Sequence, residues 1–215
     1  MARWIHPDYG VIAPYAFIEK LEQAKKIDLL TFQMLEKSAS ACRTWLDRGL
    51  NITVSVNLSL AGLEDAAIVD VITKIALKAA VEPNNISLEI TETAAMTDSG
   101  PALEILARLR MRGFGLSVDD YGTGFSSLKQ LTRVPFSELK IDQSFVTGCT
   151  SDFDLFSIVK SSVEMAKALG LKSVAEGIEN QEEWDALMDI GCNIGQGYFI
   201  SRPINLENFL KGYAQ

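Results

Sequence analysis

The run GLSVDDYGTG, residues 115–124, has the form of a short strand with acids at its C-terminal tip. Side chains alternate along a strand, so Leu116 and Val118 share one face and Ser117 and Asp119 the other. Asp119 and Asp120 then lead into a loop whose Gly122 and Gly124 tolerate unusual dihedrals. Taken alone, the run is equally a plain acidic turn before a helix. Five other segments repeat its form. ITVSVN ends at Asn57, ISLEIT carries Glu89, SELKID carries Lys140, LKSVAE ends at Glu176 and NIGQGYFI carries Gln196. Helical periodicity, or a polar loop leading into it, follows each of the first five in chain order. A parallel barrel collects its active site from the C-terminal ends of its strands. Six such tips in succession predict an α/β protein of the TIM-like (β/α)8 type, and an enzyme.

Between the strands, helical spacing is predicted over YAFIEKLEQAKK after Pro14 and over LLTFQMLEKSASACRTWLDRG up to Gly49. Proline suits a first helical turn and glycine a helix stop. Ser59 is the expected cap of LEDAAIVDVITKIALKAA, and Ser151 that of SDFDLFSIVKSSVEMAKALG. Asn180 with Glu183 three residues later has the spacing of a capping box. Asn205 is the expected cap of a closing helix, NLENFLKGYAQ. No linker or low-complexity stretch divides the chain, so residues 1–215 read as one domain.

Composition narrows the function classes. The chain has no run of 18 apolar residues and no leader with a small-residue cleavage site, which predicts a cytoplasmic segment without membrane contact. Cys42, Cys149 and Cys192 are odd in number and widely spaced, as buried free thiols would be. A net charge of -8 without a basic run argues against a nucleic-acid polymer as partner. A phosphate ester could approach such a chain only with divalent cations between the two anions. His6 is the single histidine, which excludes a His-rich metal site and most histidine general-base schemes. Next to Pro7 it reads as structural.

Parity extends the barrel reading. Val54 and Val56 oppose Ser55 and Asn57; Leu88 and Ile90 oppose Ser87 and Glu89; Leu139 and Ile141 oppose Lys140 and Asp142. The apolar faces are predicted to meet outer helices, leaving the small and charged faces to the lumen. Charge there is costly unless paired or metal-bound. The competing plain reading makes Lys140 the neutralising partner of a structural carboxylate network.

The ordered set RWxHP, VNLS, LEITET, DDYGTGFSSL, LKID, VAEGIE and GQGYFISRP resembles the EAL-domain family of cyclic di-GMP phosphodiesterases over essentially the whole chain. The resemblance implies a modified (β/α)8 barrel with one antiparallel strand. It also implies hydrolysis of cyclic di-GMP to linear pGpG with Mg²⁺ or Mn²⁺, Ca²⁺ being inhibitory. Asn57, Glu89 and Asp119 would then ligate the first metal, and Asp119, Asp120 and Glu176 the second, with Asp142 assisting. Lys140 would hold the attacking water, Glu176 being the other candidate for activating it. Arg3 would contact a substrate phosphate, Gln196 would position site or substrate, and Glu92 would anchor the DDYGTG loop. Tyr121 and Phe125 are mild aromatic exchanges against the family's usual Phe and Tyr. A homodimer and an upstream sensory or regulatory domain are implied partners. The family's naming glutamate, a ligand of the first metal in the family, would fall two residues before Met1, so an N-terminally truncated barrel with impaired hydrolysis is expected, without its first strand and most of its second. A non-catalytic cyclic di-GMP receptor, a protein-interaction scaffold and an unrelated metal-dependent barrel enzyme remain alternatives.

Overall fold

In the computed structural model, which describes residues 2–59, 65–95, 100–124 and 131–213, the chain divides into two compact units. The first comprises residues 1–88 and 99–114, the second residues 89–98 and 115–215.

The first unit opens with an antiparallel ribbon of β1 (Trp4–His6) and β2 (Gly10–Ile12), in register Trp4 to Ile12. His6 is structural, as expected: its Nδ1 accepts the Asp8 N–H at 3.1 Å, and its ring lies against Trp4 and Tyr9. Pro14 starts a short 3-10 turn ahead of α1 (Ile18–Gln23). In α2 (Ile27–Leu46) the buried residues Ile27, Thr31, Leu35, Ala39 and Cys42 recur every three to four positions, the stripe of a helix with one face in a core. β3 (Val54–Asn57) buries Val54 and Val56 and exposes Ser55 and Asn57, as its alternation predicts. It neighbours β4 (Ile86–Thr91), whose first three residues belong to this unit. α3 (Ala67–Lys78) starts without the expected cap: Asp65 accepts the Ala67 N–H, while the Ser59 hydroxyl donates to Glu22 at 2.8 Å. The stretch 60–64 lies outside the described residues.

The second unit takes up the end of β4 and continues through α4 (Glu92–Ala95) and, after residues of the first unit that include α5 (Gly100–Met111), β5 (Gly115–Tyr121). Then come β6 (Glu138–Ile141), α6 (Gln143–Val146), α7 (Phe153–Ala168), β7 (Lys172–Ala175), α8 (Gln181–Asp189), β8 (Ile194–Gly195) and α9 (Leu206–Tyr213). Its strands lie in chain order from β4 to β8, and the pairs β5–β6, β6–β7 and β7–β8 are all parallel. Leu116, Val118, Leu139 and Ile141 are fully buried, but so are Ser117 and Lys140 on the other face, at 0% and 6% exposure. Burial on both faces is the mark of a covered parallel sheet. The α7 cap is Asp152, one residue beyond the expected Ser151, and it accepts the N–H groups of Asp154 and Leu155. Asn180 and Asn205 cap their helices as predicted. β8 is two residues long, and beyond it Gly197 is pressed onto Ile178, whose carbonyl oxygen would lie 2.1 Å from any Cβ at position 197.

Candidate active site

Lys140 is the centre of the site. Its stem comes from the middle of β6 and its Nζ lies 2.8 Å from Glu89, 2.6 Å from Asp119 and 2.7 Å from Glu176. The four side chains are between 7% and 16% exposed. They come from β4, β5, β6 and the residue directly after β7, each placed by the parity of its strand. Burial pulls the Lys140 ammonium down, but Glu89, Glu176 and Asp119 outweigh it and hold its pKa above the usual lysine value. The Glu176 carboxyl is raised by burial, against the opposing pull of Lys140.

Asp120 joins this group by a device that alternation does not provide. Adjacent strand residues point to opposite faces, so Asp119 and Asp120 should diverge. Yet Asp119, Asp120 and Glu176 each offer a carboxylate oxygen within 4.8 Å of the others. The strand register explains it: Val118 pairs with Leu139 and Tyr121 with Ile141, three steps on β5 against two on β6. That is a β-bulge, a feature that re-aims side chains. Asp120 takes a left-handed φ of +57° there, a region aspartate enters more readily than most residues. Burial, and then the neighbouring Asp119 and Asp142, raise the Asp120 carboxyl. Asp142 itself caps α6, accepting the Ser144 N–H at 2.9 Å.

Two glycines and a glutamate fix the acid-bearing loops. One Glu92 oxygen accepts the N–H groups of Gly122 and Gly124 at 3.0 and 3.1 Å. Glu92 is 2% exposed, so it is no solvated strand end. Gly122 has φ +100°, and a Cβ there would lie 2.8 Å from the Phe145 ring. A Cβ at Gly177, just after Glu176, would lie 2.4 Å from that of Gln143. The short helix α6 thus packs on the exits of both β5 and β7. Nothing in the sequence pointed to Phe145 or Gln143; the only trace was a glycine one or two residues behind each acid. The Tyr121 hydroxyl donates to Met165 on α7 at 3.5 Å, whereas Phe125 lies outside the described residues.

The remaining expected site residues are placed differently. Gln196 follows β8 with an exposed side chain; its backbone N–H donates to Ala175 and its carbonyl accepts from Ile178. Asn57 ends β3 in the first unit, and Arg3, exposed beside β1, belongs to that unit as well.

The oxygen-only donor set of Asp119, Asp120 and Glu176 suits a hard divalent cation. Glu89, Asp119 and Glu176 contact the one ammonium, and Asp120 stands beside Asp119 and Glu176, so acids outnumber the cation. No helix among the described residues is long and apolar enough to cross a membrane.

Comparison with known proteins identifies the family and agrees with the fold. The EAL domain profile matches residues 1–203. The bifunctional diguanylate cyclase/cyclic di-GMP phosphodiesterase MucR of Pseudomonas aeruginosa is 38% identical over all 215 residues, which cover 31% of its length. The cyclic di-GMP phosphodiesterase RocR of the same organism is 34% identical over 98% of this chain and 54% of its own. The chain therefore spans between about a third and a half of these relatives. A solved PaMucR phosphodiesterase in complex with c-di-GMP superimposes with a TM-score of 0.89 at 39% identity, covering 97% of this chain and 85% of that one.

Proposed function

The chain belongs to the EAL domain family, and on that premise we propose that it hydrolyses one phosphodiester bond of cyclic di-GMP, giving linear pGpG, with divalent cations. The observation that carries this reading is the convergence of Glu89, Asp119, Asp120 and Glu176 around one buried ammonium. A likeness to a complex of that ligand supports the substrate.

Asp119, Asp120 and Glu176 would hold the cations, with Glu89 adjoining and Asp119 shared between two of them. Bound there, Mg²⁺ or Mn²⁺ would supply Lewis-acid stabilisation of the attacking and leaving oxygens. Lys140 has its N–H donors fixed in a desolvated position, so it orients a water for in-line attack and offsets charge on the pentacoordinate phosphorus. Glu176 receives a proton from that water. Glu92 keeps the Asp119–Gly124 stretch in place, and Asp142 adds negative charge beside Asp120. Gln196 would position the substrate. The roles given to Asn57 and Arg3 rest on the resemblance alone. A homodimer and a regulatory partner domain complete the proposal, the latter supported by relatives much longer than this chain.

The test is chromatography of nucleotides after incubating the chain with cyclic di-GMP and Mg²⁺ or Mn²⁺. Appearance of pGpG is expected, with little of it in Ca²⁺, whose looser coordination misplaces the water. Cyclic di-GMP binding without turnover would make the chain a receptor instead.

A further inference from the structure

Glu183 carries a carboxylate, 1% exposed, that the site above does not use. Its spacing after Asn180 is that of a capping box, in which its side chain would turn back to the Asn180 N–H. Half of that motif is present: the Glu183 N–H donates to Asn180 Oδ1 at 2.9 Å. The carboxylate goes elsewhere. Oε1 accepts the N–H of Gly148 at 2.7 Å, from the loop between α6 and α7, and Oε2 accepts that of Glu179 at 2.8 Å. Glu179 closes the turn that begins at Glu176. The Thr147 hydroxyl donates to the Gly177 carbonyl at 3.1 Å, and the Ile178 N–H to the Gln196 carbonyl at 3.1 Å. On its remaining side, Gly177 at φ +76° leaves no room for a side chain against Gln143.

We propose that Glu183 is a positioning residue that sets Glu176 at the acid cluster, by tying the turn after β7 to the loop after α6. This rests on the reading of Glu176 as a metal ligand. The physical basis is that a buried carboxylate bonded by two amides makes charge-assisted bonds with little freedom, and groups that orient a ligand govern metal affinity. Asn180 performs the helix-capping task alone. The two residues of one sequence motif therefore have separable tasks.

The experiment compares Glu183→Gln, Glu183→Ala and Asn180→Ala in the full 215-residue chain. It reads Mn²⁺ affinity by titration calorimetry, amide exchange across residues 176–180, and kcat and KM for cyclic di-GMP. Glu183→Gln keeps the shape but turns an amide group toward an N–H. It is expected to weaken Mn²⁺ binding about 10-fold, to speed exchange in the turn and to lower kcat more than it changes KM. Asn180→Ala is expected to lower Tm and leave Mn²⁺ affinity unchanged. Wild-type affinity and exchange in Glu183→Gln overturn the proposal. So do equal affinity losses in Glu183→Gln and Asn180→Ala, which would make Glu183 a helix stabiliser only. Should Glu183→Ala not fold, Glu183→Gln decides. Absence of Mn²⁺ binding by the parent chain would overturn the metal-site reading itself, and this inference with it.

Discussion

Glu92 and Glu183 are buried in the same unit as Glu89, Asp119 and Glu176, yet the two sets face opposite kinds of partner. Glu92 accepts two glycine amides and Glu183 accepts the amides of Gly148 and Glu179. Their charge is satisfied by fixed backbone dipoles, which no change of ligand alters. The strand-tip acids instead share one buried side-chain ammonium at 2.6 to 2.8 Å, with Asp120 close by. That set has more charge than its protein partners answer. The contrast separates carboxylates that hold the backbone from carboxylates that converge on a side-chain ammonium and on one another, although both are glutamates and aspartates at strand ends or helix starts.

The comparison breaks most easily at Lys140. Lys140→Met leaves the strand-tip carboxylates uncompensated, and removing one partner of a buried ion pair costs about 3–5 kcal/mol. Thermal unfolding of the metal-free variant should show that loss, while Mn²⁺ should raise its Tm by more than it raises that of the parent chain. Hydrolysis should fall by about 10² to 10³, the contribution of one preorganised donor to developing charge. An Mn²⁺ response no larger than the parent's would mean that the cluster is a structural network, complete with its lysine.

Asp119 and Asp120 sharpen the comparison within the cluster. Asp119 bonds Lys140 and belongs to the three-carboxylate group, whereas Asp120 joins that group only through the bulge. Asp119→Asn is therefore expected to lose more Mn²⁺ affinity than Asp120→Asn in calorimetric titration. Asparagine is the right substitute at position 120, because it tolerates the left-handed φ of +57° that alanine would resist. Equal losses would remove Asp119 as the shared ligand.

These two acids also mark where sequence reading reaches its limit. The strands β3 to β8 and the inward face carrying Glu89, Asp119 and Lys140 follow from a period of two and were legible. The convergence of Asp120 was expected only through the family resemblance, because it depends on an extra residue in one strand of a pair, and alternation cannot show which residue is bulged. Capping was legible where the partner is local, as at Asn180 and Asn205. It shifted by one residue from Ser151 to Asp152, since both are good caps and the turn geometry chooses. The Ser59 hydroxyl donates to a tertiary partner, Glu22, and the residues it was expected to cap lie outside the described ones. Glu183 was legible as a helix-start residue but not as an anchor, its second partner being 35 residues away.

On the backbone-holding side, Glu92→Gln should behave in the opposite sense to Lys140→Met. One Glu92 oxygen serves both Gly122 and Gly124. Glutamine keeps an acceptor but loses the charge that strengthens both bonds, and a weakened or orphaned buried amide costs about 1–3 kcal/mol. The expected result is a lower Tm that saturating Mn²⁺ leaves lower than the parent's by a similar margin, since no cation can replace an acceptor for N–H groups. A Tm deficit that Mn²⁺ abolished would place Glu92 among the cation-seeking acids.

The smallest effect is expected at Asp152, a carboxylate that does only the backbone's work and does it away from the acids. It caps α7 by accepting the N–H groups of Asp154 and Leu155 at 2.9 and 3.1 Å. Replacing such a cap by alanine typically costs about 0.5–2 kcal/mol. Asp152→Ala should thus lower Tm by a few degrees, with Mn²⁺ affinity and kcat at parent values. That combination would show that lost stability alone does not weaken metal binding here, so that losses at Glu183 or Asp119 can be assigned to the site. If Asp152→Ala also weakened Mn²⁺ binding, α7 would have to be coupled to the cluster. The contact through which that would pass is Tyr121, which follows Asp120 directly and hydrogen-bonds Met165 on the same helix. Tyr121→Phe removes that bond and nothing else, and loss of the coupling in the double variant would identify it.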